Sequence, residues 1–175
     1  MQTMTYAEAL RAIDALKPGG MKWGLARMER ILSLCGHPER RLRCVHVAGT
    51  NGKGSTARMI QSILTAAGYR TGLYTSPAVP RPRDAVAIDG IPAAEEDFAA
   101  LTAELLSHGG EMGEAGSLSE FELTTALAFL YFARRHTDIC VIECGLGGRD
   151  DATNVLPPPL AAVLTPVSLD HTAVL

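Results

Sequence analysis

The sequence predicts an α/β protein with a mostly parallel sheet and flanking helices. Short apolar runs at residues 44–48, 139–144 and 161–166 have the continuous hydrophobicity that is typical of buried parallel strands. Helical patterns alternate with these strands along the chain, as they do in parallel α/β sheets. With 175 residues, the chain is long enough for one domain with a substantial core.

The composition is that of an ordinary globular protein, with 47% hydrophobic and 20% charged residues. A net charge of −3 gives no basic footprint, which argues against nucleic acid as the primary partner. No apolar run approaches the ~18 residues that a membrane span needs, and the N-terminal residues carry acids without the apolar core of a secretory signal. We therefore expect a cytoplasmic protein that binds neither nucleic acid nor membranes.

The four cysteines form no CxxC pair, and three of them lie in or beside apolar runs. This pattern predicts buried thiols in a reducing compartment, because structural disulfides belong to oxidising ones. It also argues against a zinc site formed by cysteines, whose ligands are usually closely spaced in sequence. The four residues are Cys35, Cys44, Cys140 and Cys144.

Two amphipathic helices are predicted before the first strand. The first begins at Thr5 as N-cap, with Glu8 completing a capping box, and ends at about residue 16. The second covers residues 23–35.

The first strand leads into a glycine-rich loop and then into a helical pattern that begins at about Ala57. A strand, a glycine-rich turn and a helix N-terminus together can hold phosphate. Glycines let backbone N–H groups converge on the anion, and the helix N-terminus adds roughly half a positive charge. A lysine and a hydroxyl in this loop would reach the phosphates and Mg²⁺. The predicted phosphate-binding residues are Gly49, Thr50, Asn51, Gly52, Lys53, Gly54, Ser55 and Thr56.

The loop departs twice from the general G-x-x-x-x-G-K-[ST] phosphate-binding motif. Val47 stands where the first glycine is expected, and Gly54 separates Lys53 from the hydroxyl. Taken alone, the stretch is therefore open to a second interpretation, a glycine-rich strand–helix turn with a solvated lysine.

The remaining elements follow from hydrophobic periodicity, glycines and prolines. The loop after residue 76 is expected to be extended and non-helical, because Pro77, Pro80 and Pro82 fix its backbone. We assign residues 1–41 to an N-terminal helical segment and residues 42–175 to the α/β domain. After the glycine loop, the predicted elements are a helix to about 67, a strand at 71–74, a helix at 94 to about 106, a flexible connection at 108–116, an apolar helix at 117–135 and the strands at 139–144 and 161–166.

Polar residues follow each predicted strand, and the carboxyl ends of parallel strands meet at one edge of the sheet, where ligands bind. Besides the glycine loop, these residues include Ser76, Glu143 and His171. Glu143 would suit a nucleotide-bound Mg²⁺; the alternative is a strand-end acid that faces water or caps the following glycine turn. His171 would ligate a second Mg²⁺ or contact phosphate, or it is structural. Asp151 and Asn154 suit turn capping as well as substrate contact.

Five stretches of the sequence carry a resemblance: HVAGTNGKGST, GYRTGLYTSP, FELTTALAFLYFA, ECGLGGRDDATNV and TPVSLDH. In this order and at these intervals, they resemble the N-terminal domain of the folylpolyglutamate synthase/dihydrofolate synthase family, a branch of the Mur ligase superfamily. The resemblance covers nearly the whole chain. The Gly-Thr-Asn-Gly-Lys-Gly-Ser form, with its extra Gly54, is specific to this branch.

The resemblance implies an ATP-dependent ligase with a P-loop NTPase-like Mur ligase central domain. It implies that ATP and Mg²⁺ bind at the glycine loop, that a substrate carboxylate becomes an acyl phosphate, and that the amine of L-glutamate then forms an amide. The implied substrates are dihydropteroate and/or reduced folyl-(poly)glutamate, and we expect a monomer at full length. By resemblance, the catalytic residues are Lys53, Glu143 and His171, and the metal ligands are Ser55, Ser76, Glu143 and His171.

The sequence differs from the family pattern at residues 78–79 and 83–86, where a His-Leu pair and an Asn-Glu-Arg-Ile segment are usual. It also ends before the lysine that the family carbamylates and before the C-terminal glutamate-ligase domain. We therefore expect the 175 residues alone to be inactive. Three alternatives stay open: a non-catalytic or decayed nucleotide-binding fragment, a Mur-type amino acid ligase for another carboxylate, and an ordinary P-loop phosphotransferase.

Overall fold

A six-stranded sheet with helices on both faces organises the protein. The computed structural model describes residues 4–16, 24–77, 81–112 and 118–169. The strands are β1 Cys44–Ala48, β2 Thr71–Tyr74, β3 Val86–Ile88, β4 Ile91–Pro92, β5 Ile139–Glu143 and β6 Ala161–Leu164. The helices are α1 Tyr6–Asp14, α2 Ala26–Leu34, α3 Lys53–Ala66, α4 Glu95–Glu111 and α5 Glu120–Arg134, with 3₁₀ turns at Pro38–Arg41, Pro82–Ala85 and Ala152–Val155. The strand order in the described sheet is β4-β3-β2-β5-β1-β6.

The central strands of the sheet are parallel. β5 lies between β2 and β1, and β6 pairs with the other side of β1. The register places Val47 opposite Glu143 and Tyr74 opposite Ile142, so the carboxyl ends of β1, β2 and β5 are aligned. The mostly parallel sheet that the sequence predicts is confirmed.

A β-hairpin at one end of the sheet is absent from the sequence prediction. β3 pairs antiparallel with β2, and β4 pairs antiparallel with β3. The predicted extended, non-helical backbone is wrong at residues 82–85, where a 3₁₀ turn forms, and the short strands β3 and β4 follow this turn. Asp89 and Gly90 make the hairpin turn with φ angles of 52° and 78°, and an Asp-Gly pair is a known signal for such turns.

Two predicted helix boundaries are wrong, in both cases beside glycines. α3 begins at Lys53 rather than at about Ala57, so Gly54 lies in the first helical turn. α4 continues through two glycines to Glu111, where the sequence predicts a flexible connection from residue 108. Glycine is a weak helix former, but the cost of about 1 kcal/mol per residue is small beside the tertiary packing of a helix.

The helix α5 forms the centre of the core, as its apolar sequence predicts. It starts later than residue 117, which lies outside the described residues: Ser119 is its N-cap, and Glu122 completes a capping box with it. Cys140 and Ile142 of β5 face the cluster that contains α5, whereas Val141 faces α3. Since neighbouring side chains on a strand point to opposite faces, β5 is covered on both sides.

The two N-terminal helices join the same core. The capping box predicted at Thr5 is present, and Ile13 of α1 and Met28 of α2 are buried in the cluster that contains Phe98 and Phe129. The division of the chain between residues 41 and 42 stays a prediction. Along the described helices, none is long and apolar enough to cross a membrane.

The strand β6 is more exposed than its apolar sequence predicts. It lies at the edge of the described sheet, and the side chain of Leu164 is 72% exposed.

The cysteines follow the prediction more closely, because Cys44, Cys140 and Cys144 are buried free thiols. Cys35 is the exception, since it is only half-buried.

Candidate nucleotide-binding site

The glycine loop between β1 and α3 contacts the segment that follows β6. Gly49 has a φ angle of 130°, and a β-carbon on it would lie 2.7 Å from the carbonyl oxygen of Thr165 and still closer to its hydroxyl. Only glycine fits at a position with both this backbone conformation and this contact. Gly52, with a φ angle of 83°, then turns the chain into α3 as its N-cap.

Two residues of the loop are fixed by hydrogen bonds to the chain after β6. The N–H groups of Thr50 and Asn51 donate to the carbonyl oxygen of Pro166 at 3.1 and 3.4 Å. The backbone N–H of Ser168 donates to the Thr50 hydroxyl at 3.1 Å. The N–H groups of Thr50 and Asn51 therefore hold the loop in place. The donors that can bind an anion are the N–H groups in the first turn of α3, because the N-cap Gly52 has no side chain to cap them.

The side chain of Lys53 folds back over the loop. Its Nζ donates to the carbonyl oxygens of Gly49 at 3.0 Å and of Thr50 at 3.3 Å. The ammonium group thus lies within the loop, beside the positive end of the α3 dipole. An anion bound there would meet a full positive charge as well as the helix N–H groups.

Glu143 lies on the other side of the start of α3. The side chain is only 4% exposed, and its Oε2 accepts a hydrogen bond from the backbone N–H of Ser76 at 3.1 Å. A β-carbon on Gly54 would lie 3.2 Å from the same oxygen. Burial raises the pKa of the Glu143 carboxyl, although the Ser76 N–H and the charges of Lys53 and Arg58 oppose this rise.

Arg58 is a residue of this site that the sequence prediction missed. Its guanidinium donates to the Gly54 carbonyl oxygen at 3.5 Å and to the Thr75 hydroxyl at 3.3 Å. The arginine therefore connects the first turn of α3 with the end of β2. The four-residue spacing of Gly54 and Arg58 puts both on one face of the helix, and this spacing could have indicated the arginine.

Comparisons with known proteins agree with this geometry. No protein-family model matches the chain. The dihydrofolate synthase/folylpolyglutamate synthase of Bacillus subtilis is 43% identical over 173 residues, which are 97% of this chain and 40% of that protein. The chain belongs to the folylpolyglutamate synthase/dihydrofolate synthase family.

Solved structures of the family have the same fold. The folylpolyglutamate synthase of Thermotoga maritima is 40% identical, with a TM-score of 0.87 over 94% of this chain and 38% of that one. An FPGS–AMPPCP–folate complex is 37% identical, with a TM-score of 0.85 over 97% of this chain and 42% of that one. The Mur-ligase-type fold that the sequence predicts is thus confirmed. The chain spans about two fifths of the length of these relatives.

A second glycine-containing turn follows β5, and hydrogen bonds to the Asp151 side chain hold it in place. This buried carboxylate accepts hydrogen bonds from the Leu146 N–H at 2.9 Å, the Thr153 N–H at 3.0 Å and the Thr153 hydroxyl at 2.5 Å. The Thr153 oxygen also lies 2.8 Å from Nε2 of His46. Since the hydroxyl proton goes to the carboxylate, which can only accept, the His46 ring donates to Thr153. Asp151 caps the turn, which is one of the two roles that the sequence allows.

The structure brings most of the predicted site residues of this family member to one edge of the sheet. The glycine loop, Ser76 and Glu143 are adjacent, and Ser55 and Thr56 follow Lys53 in the first turns of α3. His171 lies outside the described residues. The catalytic, nucleotide-binding and metal-binding roles of these residues stay predictions.

Proposed function

We propose that this chain is the nucleotide-binding part of an ATP-dependent ligase that adds L-glutamate to dihydropteroate and/or a reduced folyl-(poly)glutamate. The family relationship supports the proposal, and so does the FPGS structure that holds AMPPCP and folate. In the same proposal, the partners are these small molecules, and the protein is a cytoplasmic monomer that acts apart from nucleic acid and membranes.

The placement of Lys53 and of the buried Glu143 on either side of the start of α3 is the observation that carries this proposal. Burial of the Glu143 carboxylate costs free energy, and the charges of Lys53 and Arg58 offset this cost only in part, because the pKa of Glu143 stays raised. This burial becomes favourable when a polyphosphate occupies the loop and a divalent cation lies between the phosphate and the carboxylate. A plain glycine turn with a solvated lysine would need neither the burial of Glu143 nor the folded-back lysine.

Mg²⁺ fits the chemistry of the residues around Glu143. This ion takes oxygen ligands, and it is usually held by one or two carboxylates together with substrate phosphates and water. Glu143 would supply the carboxylate, and Ser55 and Ser76 would supply hydroxyls from α3 and from the end of β2. The ion would supply charge neutralisation of the transferring phosphoryl group.

The proposed reaction has two steps. A carboxylate oxygen of the pteroate or folate substrate attacks the γ-phosphorus of ATP, the bond to the β,γ-bridging oxygen breaks, and ADP leaves. The amine of L-glutamate then attacks the acyl carbon, loses a proton and displaces phosphate, forming the amide. In the first step Lys53 and the helix N–H groups would stabilise the negative charge on the phosphoryl oxygens.

A direct test measures ADP release by the full-length protein. We expect release that requires both dihydropteroate (or a reduced folate) and L-glutamate, and that is lost in Lys53→Met. The same assay with a UDP-linked muramyl substrate is the control, because a Mur-type cell-wall ligase would use it. Release with the muramyl substrate alone would overturn the folate assignment.

A second candidate function is nucleotide binding without ligation. It is favoured by the departures from the family pattern at residues 83–86, which form a 3₁₀ turn and the start of β3. In that segment Arg83 donates to the Ala93 carbonyl oxygen at 2.9 Å, and Arg81 pairs with Asp84 at 3.0 Å. These contacts hold the side chains of the turn against each other and against the residue that follows β4. MgATP binding that depends on Lys53, with no ligation by the full-length protein, would support this candidate.

A further inference from the structure

A group of three possible metal ligands lies in the helical layer, away from the glycine loop. One ligand atom from each of Cys35, Glu104 and His108 can be chosen so that all three lie within 4.8 Å of one another. Cys35 is the C-cap of α2, and the other two residues lie on α4. All three side chains are half-buried, so solvent and ions can reach them.

From this juxtaposition we infer that Cys35, Glu104 and His108 form a zinc site that joins the end of α2 to α4. Thiolate, imidazole and carboxylate are the three ligand types that proteins use for Zn²⁺, and three protein ligands with a water in the fourth position are a common zinc arrangement. The same set disfavours Mg²⁺, which prefers oxygen ligands alone. The site is therefore distinct in chemistry from the one proposed around Glu143.

The spacing of the ligands on α4 supports the site. Glu104 and His108 are four residues apart, so they lie on the same face of this helix, one turn from each other. The half-buried Cys35 is brought to this face by the packing of α2 against α4. The spacing of the cysteines along the chain gives no sign of this site, because the contact between Cys35 and α4 is made by tertiary packing.

Hydrogen bonds that His108 and Glu104 make to neighbouring charged side chains also support the site. Nδ1 of His108 lies 3.3 Å from a carboxylate oxygen of Glu111. A carboxylate that accepts from one ring nitrogen orients a histidine whose other nitrogen ligates metal. Arg134 donates to the two oxygens of Glu104 at 2.8 and 2.6 Å. Since a carboxylate has about four lone-pair positions, Glu104 can keep its ion pair with Arg134 and still coordinate a metal ion.

Cobalt binding to the nucleotide-free protein tests the site by a spectroscopic signal. We expect the purified protein to bind one Co²⁺ with a thiolate-to-metal charge-transfer band in the near ultraviolet, and Zn²⁺ to displace it. Cys35→Ser should remove the band, and His108→Asn should weaken Co²⁺ binding at least ten-fold. His136→Asn is the matched control, since His136 is an exposed histidine after α5, outside the group of three ligands, and should leave the band unchanged.

A second measurement uses the wild-type protein alone and so avoids any folding defect of the variants. Cys35 is the least buried of the four thiols and should be the one that iodoacetamide alkylates first. Zn²⁺ should slow this alkylation at least ten-fold, whereas Mg²⁺ should leave it unchanged. Absence of the cobalt band, an unchanged Co²⁺ affinity in His108→Asn, or alkylation that Zn²⁺ does not slow would each overturn the site. None of these readouts involves ATP, so they are independent of the proposed ligase function.

Discussion

A β-carbon on Gly54 would lie 3.2 Å from Oε2 of Glu143, so this glycine leaves the space that the buried acid occupies. Such a contact is tight enough that the carboxylate would have to shift by a few tenths of an ångström. The departure of Gly54 from the general phosphate-binding motif is therefore explained by the nearby Glu143 at the end of β5. The extra glycine leaves room for this acid and for the Arg58 guanidinium, which would also lie 3.2 Å from a β-carbon there.

Gly54→Ala should weaken MgATP binding without weakening the fold. The residue lies in the first turn of α3 with a helical backbone, so alanine is expected to leave the free energy of unfolding unchanged or to raise it by up to about 1 kcal/mol. The displaced Glu143 should lower MgATP affinity by about three- to ten-fold, because small errors in ligand position are costly in such sites. Calorimetry and urea denaturation measure the two effects separately.

The matched control is Gly109→Ala in α4, where a β-carbon would meet nothing within 4 Å. This variant should gain a similar helix propensity and bind MgATP with unchanged affinity. Equal affinities of the Gly54→Ala and Gly109→Ala proteins would contradict the link between Gly54 and Glu143.

The parts of the site that the sequence predicts are those encoded locally. The loop from Gly49 to Thr56 follows from glycines between a strand and a helix, and Glu143 follows from its place at the end of an apolar strand. The contact of His46 with Thr153 joins residues 107 positions apart, and no local pattern specifies it. The hairpin was missed for another reason, since strands of three and two residues are too short for a periodic signal.

Lys53→Met should lower MgATP affinity by at least about ten-fold, which corresponds to ~1.4 kcal/mol. Methionine keeps the length of the side chain but removes the charge and the donors to the Gly49 and Thr50 carbonyl oxygens. Arg11→Met, on the exposed face of α1, is the control for loss of a positive charge alone. Calorimetric titration with MgATP measures the affinity of both variants. Equal affinities of Lys53→Met and Arg11→Met would show that Lys53 does not contribute to the nucleotide site.

Gly49→Ala should destabilise the fold more than Gly52→Ala. Both glycines have positive φ angles, and a non-glycine residue in a left-handed conformation costs about 1–2 kcal/mol. A β-carbon at Gly52 meets nothing within 4 Å, whereas one at Gly49 collides with Thr165, and overpacking of this kind costs a further ~1–3 kcal/mol. Urea denaturation of the two variants measures the difference. Equal losses would show that the loop and the end of β6 are not in contact.

His46 should make the fold less stable in mild acid. Burial lowers the pKa of its ring below the ordinary value of 6.5, an effect that the nearby Asp151 only partly opposes. The unfolded chain therefore binds a proton at a pH where the folded chain does not. The resulting contribution to stability is present above pH 6.5 and is lost as the pH falls through the folded-state pKa.

The matched variant for this prediction is His46→Gln, which keeps a side-chain N–H donor for Thr153 but does not titrate. The difference in free energy of unfolding between wild type and variant should shrink or reverse as the pH falls from 7 to 5. An NMR titration of the His46 ring reports its pKa directly and should give a value below 6.5. A ring that titrates at or above 6.5 would mean that its burial against Thr153 is not maintained in solution, and the hydrogen-bonded chain from β1 to the second glycine turn would then be wrong.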